Sequence, residues 1–119
     1  MAADGFFQQA LDASRRGKAG LEFEARMLAY QADNLMRAGN SVRAGEVAAE
    51  AIGVARRKAD RLGECHASLV GAEACLTRSG TRDTEQARQL LDRANALIAE
   101  TGAKAFDPMM LRLRAQGSA

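Results

Sequence analysis

The residues best suited to chemistry are few in this chain. A single histidine, His66, stands beside Cys65, and a second cysteine, Cys75, follows ten residues later. On one helix, a rise of ~1.5 Å per residue would put the two sulfurs ~15 Å apart, beyond the ~7 Å that a disulfide tolerates. Two small apolar packing residues are expected, in keeping with a reducing compartment. Neighbouring helical side chains point about 100° apart, so Cys65 and His66 cannot share a metal as ligands one turn apart do. Cys65 as a nucleophile needs a base held by a third group, and the sequence holds no second histidine. Pairing His66 with Glu73 for acid–base work spans ~10 Å along a helix axis, outside hydrogen-bond reach. His66 is therefore expected as a polar or partly buried helix residue.

Phosphate chemistry has no better footing. The sequence contains neither a Walker-type loop nor Gly-x-Gly-x-x-Gly, the glycine patterns that bring backbone amides to a phosphate. These readings predict no catalytic residues, no cofactor and no metal: a protein that is not an enzyme. Two basic clusters remain, Arg15-Arg16-x-Lys18 and Arg56-Arg57-Lys58-x-x-Arg61, the second diluted by Asp60 and Glu64. Both fall near predicted helix C-termini, where cations are favoured by the macrodipole. The net charge is +2 and aromatic residues are 4% of the chain, too few to supply the stacking platforms of a nucleic-acid binder. No apolar run approaches the ~18–20 residues of a membrane span. The opening Met1-Ala-Ala-Asp-Gly-Phe-Phe lacks the basic region and long apolar core of a signal peptide. No nucleic-acid partner and no membrane are expected, and the cytoplasm is the expected compartment.

The elements that would position these residues are helices. Alanine, the best helix former, is the commonest residue, and there is one proline. Strand-favouring Tyr, Trp, Val, Ile and Thr are scarce. The fold class is all-α, and punctuation divides the chain into about six helices. The first runs from about Asp4 to Arg16, with Phe7, Ala10, Leu11 and Ser14 on one face. The second spans about Leu21 to Ala38 and stops at Gly39-Asn40. The third runs from Ser41 to about Asp60, with Asn40 or Ser41 as its N-cap. The fourth covers about Leu62 to Arg78. The fifth starts with Asp83 as N-cap and ends at Thr101-Gly102. The sixth opens on Asp107 as N-cap with Pro108 in the first helical position.

A repeat runs through these helices. Asp33-Asn-Leu-Met-Arg-Ala-Gly39 aligns with Ala74-Cys-Leu-Thr-Arg-Ser-Gly80 at an offset of 41, both ending on Arg-small-Gly. In the following helices Ala44, Ala48 and Ala51 correspond to Ala87, Leu91 and Ala94, at an offset of 43. Small residues at this spacing let two helix axes approach to the short end of ~8–10 Å. The predicted organisation is a half repeat over 1–20, repeats over 21–61 and 62–102, and a half repeat over 103–119.

The pattern resembles the tetratricopeptide repeat. It has a small residue in helix A (Ala32), Leu one turn on (Leu35), Gly at the turn (Gly39), and three spaced alanine-like positions in helix B (Ala44, Ala48, Ala51). The longer period is similar to that of the C-terminal arrays of bacterial signalling ATPases, including regulators of the maltose-activator type and cyclase–ATPase fusions. Ala87-Arg-Gln-Leu-Leu-Asp-Arg-Ala-Asn-Ala-Leu-Ile-Ala-Glu-Thr-Gly102 looks like their helix B, and Asp107-Pro-Met-Met-Leu-Arg-Leu-Arg114 like their next helix A.

The resemblance implies a right-handed α-solenoid of antiparallel hairpins whose A helices line a concave face for a protein or peptide partner. By position that face falls on Arg26, Tyr30, Asp33 and Arg37, and on Val70, Ala74 and Arg78. The expected function is non-catalytic protein–protein interaction, as the tail domain of a signalling regulator or as a small relative of one. A homo-oligomerisation domain and a small-effector sensor are the alternative readings. Repeat units bury their apolar faces only against neighbours. Phe6, Phe7 and Leu11 crowd the first helix and Met109, Met110, Leu111 and Leu113 the last. Self-association through Met109, Met110 and Leu113, or a place in a longer array, is therefore expected.

Overall fold

The computed structural model describes residues 23–78 and 80–118. The predicted first helix, the half repeat over 1–20, the Arg15-Arg16-x-Lys18 cluster and the apolar Phe6, Phe7 and Leu11 lie outside the described residues. Within them are five α-helices: α1 (Glu24–Arg37), α2 (Ser41–Lys58), α3 (Arg61–Arg78), α4 (Thr81–Thr101) and α5 (Asp107–Ser118). A 3-10 turn, Lys104–Phe106, leads into α5. No strand occurs among the described residues. No helix among them is long and apolar enough to cross a membrane.

Local chemistry explains the corners. Gly39 takes a φ of 84°, which only glycine adopts freely. There the Asn40 amide bonds back to the Leu35 carbonyl at 2.9 Å, closing α1. Asn40 then caps α2, its side chain accepting from the Arg43 amide at 3.3 Å. The end of α2 falls on Ala59, which is left-handed at φ 54° without being glycine. Asp60 belongs to the next helix rather than to α2: its carboxylate accepts from the Gly63 amide at 3.1 Å. Arg26 of α1 reaches the same carboxylate at 3.2 Å, so one residue caps α3 and ties α1 to the corner. The predicted start of the fifth helix is corrected. The N-cap of α4 is Gly80, so Asp83 lies two positions inside the helix, 3.9 Å from Arg78. Asp107 is likewise inside α5, behind the 3-10 turn.

Short connections fold each helix back on its neighbour. α1 packs on α2, α2 on α3, α3 on α4 and α4 on α5; α3 also meets α1 and α5. Contact with all four other helices buries α3 without interruption from Gly63 to Cys75. One apolar cluster joins α1 and α2 to Ala67 and Val70 of α3. The other joins α4 and α5 to Cys65, Leu69, Ala72 and Cys75. The α2–α3 seam is built from small residues. A Cβ added at Gly45 would stand 3.5 Å from Ala74 Cβ, and one at Gly71 would stand 3.7 Å from Ala48 Cβ. Ala44, Ala48 and Ala51 of α2 and Ala94 of α4 are fully buried.

Candidate functional site

One stripe of α1 stays outside both clusters. Arg26, Tyr30, Asp33 and Arg37 follow the helical repeat along one face. Opposite them stand Phe106 of the 3-10 turn and Pro108, Met109 and Arg112 of α5. The floor between is α3, which offers His66 and Glu73. Two adjoining hollows result. The first, about 160 Å³, is lined by Arg26, Tyr30, Leu62, His66 and Phe106. The second, about 410 Å³ and more open, is lined by Asp33, Arg37, Pro108, Met109 and Arg112.

His66 joins the two. Its Nε2 lies 3.1 Å from Asp33 Oδ2, Tyr30 meets its ring edge-on at 4.9 Å between centroids, and Phe106 lies tilted against it at 5.5 Å. The hydrogen bond shared with His66, helped by the charges of His66, Arg37 and Arg112, outweighs burial and holds the Asp33 carboxyl below the usual carboxylate range. Arg37 bridges Asp33, at 3.4 Å, and Glu73. Arg112 crosses from α5 to the same Glu73 at 3.3 Å. A nearly buried carboxylate on the central helix thus clamps both walls.

The chemistry these groups can do is recognition through charge-assisted hydrogen bonds and apolar contact. An acid–histidine pair could orient a base, but the only hydroxyl among the lining residues of the two hollows is that of Tyr30. Cys65 points the other way, with its sulfur 3.8 Å from the Ala94 carbonyl. Burial pushes its thiol up to about 11, with the neighbouring Glu64 charge adding to the effect. Cys75 is buried too, and desolvation raises it as well. No cluster of three or more His, Cys, Asp or Glu side chains suited to a metal occurs among the described residues.

The structure brings together four of the seven positions expected on the partner face and excludes three. Val70 and Ala74 have no exposed surface, because they face α1 and α2. Arg78 turns to the α2–α4 side, approaching Gly45 and Asp83. For Ala74 and Arg78 the cause is register; Val70 already stands 40 residues after Tyr30 and is excluded because α1 and α2 cover it. Aligning the stop motifs gives an offset of 41, whereas the packed residues Ala25, Ala29 and Ala32 of α1 have their counterparts at Cys65, Leu69 and Ala72, an offset of 40. At that offset Arg26 and Asp33 correspond to His66 and Glu73, the residues that face the groove. Phe106 and Arg112 complete it and carry no signal in a single repeat.

The expected self-association surface is corrected too. Met110 is 4% exposed and Leu113 fully buried, because α5 packs them against α3 and α4. Met109 is half-buried in the groove wall and touches both clusters. Leu111, 69% exposed, is the large apolar side chain of α5 that points outward.

Comparison of the chain with protein-family models, with curated proteins and with solved structures gives no match.

Proposed function

We propose that the chain is a non-catalytic protein-interaction module of tetratricopeptide type. In this reading α1, α3 and α5 are the A helices of a right-handed hairpin stack, α2 and α4 back them, and the groove receives a segment of a partner protein. The observation that carries the reading is the alternation of contacts. α1 meets α3 and α3 meets α5 on the groove side, while α2 and α4 fill the intervals behind. The two alanine-rich seams add support, since α2 and α4 keep the same buried pattern at Ala44, Ala48 and Ala51 and at Ala87, Leu91 and Ala94.

Photo-crosslinking in cells of the source organism tests it. A photoreactive residue replacing Tyr30 or Arg112 is expected to trap a discrete partner, whereas one replacing the exposed Ala49 or Ala96 on the backing helices is not. Adducts only from Ala49 and Ala96 would move the binding face to α2 and α4. Adducts consisting only of a second copy of this chain would make it an oligomerisation domain.

A further inference from the structure

We propose that the groove takes an acidic peptide segment bearing one aromatic or large aliphatic side chain. Its acid groups meet Arg26, Arg37 and Arg112, and its apolar side chain enters the hollow between Tyr30, His66 and Phe106. This inference rests on the interaction reading above and names the chemistry of the partner.

Formal charges in the groove nearly balance, but their depths differ. Arg26 is 42% exposed over an Asp60 that is 6% exposed. Arg37 and Arg112, 53% and 48% exposed, stand over a Glu73 that is 10% exposed. Asp33, at 31%, is the one acid with appreciable access, and it is engaged by both His66 and Arg37. The surface a partner meets is therefore a row of guanidiniums whose neutralising carboxylates lie beneath. Each guanidinium has five N–H donors in a fixed fork suited to carboxylates. Arg26 reaches Asp60 through Nε and Arg112 reaches Glu73 through Nη1, so donors remain on each fork. A basic segment would meet the same cations with the carboxylates out of reach.

Size and length agree. The first hollow is about 160 Å³, and a cavity of roughly 150 Å³ can hold a benzene ring. Its walls are the rings of Tyr30 and Phe106, the His66 imidazole, Leu62 and Arg26. The stripe from Arg26 to Arg37 covers ~16 Å of helix, the reach of ~5 extended residues at ~3.3 Å each.

The test is a nuclear magnetic resonance titration of the full chain with three end-capped pentapeptides: Glu-Glu-Phe-Glu-Glu, Lys-Lys-Phe-Lys-Lys and Glu-Glu-Ala-Glu-Glu. The acidic phenylalanine peptide is expected to shift Tyr30, His66, Phe106 and Arg112 and to bind at least about tenfold more tightly than either control. Raising the salt to ~1 M should weaken it, since charges separated by more than ~3 Å of screened solvent then interact little. Arg112→Gln and Tyr30→Ala, each checked for native circular dichroism, should both weaken binding. Groove binding with equal or greater affinity for the basic or alanine peptide would overturn the inference and leave the interaction reading standing. An oligothymidylate that binds the same residues more tightly than the acidic peptide would overturn it as well. Shifts confined to α2 and α4, or none with any probe, would overturn both.

Discussion

Glu64 and Ala59 show how much individual residues carry in this chain. The Glu64 side chain is 4% exposed and receives Arg93 of α4 through two nitrogens, at 2.8 and 3.2 Å, and Arg56 of α2 at 3.1 Å. The Arg93 hydrogen bonds, then those of Arg56, hold its carboxyl below the usual range against the cost of burial. A depressed folded-state pKa contributes stability above the unfolded value, near 4.5, and that stability is lost as pH falls through the folded value. Glu64→Gln should therefore lower stability by ~1–3 kcal/mol near neutral pH and flatten the decline below pH ~4.5. Denaturation midpoints measured across that range would show it, and parallel curves for the two proteins would contradict it. Ala59 is the converse case, an alanine held in a left-handed turn. Ala59→Gly should stabilise by about 1 kcal/mol, read as a higher melting temperature. At this scale the sequence is a poor guide. Glu64 looks like a diluent of a basic cluster and His66 like an isolated residue, because their partners arrive from other helices.

The elements themselves are more legible. Helix-breaking glycines and alanine spacing place α2 and the end of α1 closely, because corner and seam both depend on local chemistry. The start of α4 is misplaced because Gly80, with no capping side chain, serves as its N-cap. The register of α3 is misplaced by one residue because stop motifs align turns, while packing aligns faces. α3 also gives a weak pattern of its own: contact with helices on every side removes the polar face that periodicity needs. The α2–α3 and α4 seams test the packing directly. Ala48 and Ala94 are fully buried, and a Cβ at Gly71 would already touch Ala48. Ala48→Leu and Ala94→Leu should each overpack a seam and cost ~1–3 kcal/mol. Gly63→Ala should be destabilising as well, since its Cβ would fall 2.7 Å from the Asp60 carboxylate and 3.1 Å from Ala25. Unchanged urea midpoints for the two leucine variants would mean the seams can open without loss.

For the whole molecule, the decisive element is α5, the last described helix. Four apolar residues near its start cannot share one face, which in the sequence reads as an uncapped end awaiting a second copy. In the structure they divide three ways: Met110 and Leu113 enter the cluster with α3 and α4, Met109 forms a groove wall, and Leu111 faces outward. α5 thus closes the second apolar cluster and supplies one side of the groove, joining stability to the proposed binding. Two substitutions separate a core role from an interface role. Leu113→Glu places a charge where no solvent reaches, and should cost at least about 3 kcal/mol through lost packing and an unpaired buried acid. Leu111→Glu, on the exposed side of the same helix, should stay within ~0.5 kcal/mol of the native chain. Urea denaturation and sedimentation of both variants would decide. A Leu113→Glu chain that remains fully folded while a native dimer falls to a monomer would place Leu113 between copies rather than inside one.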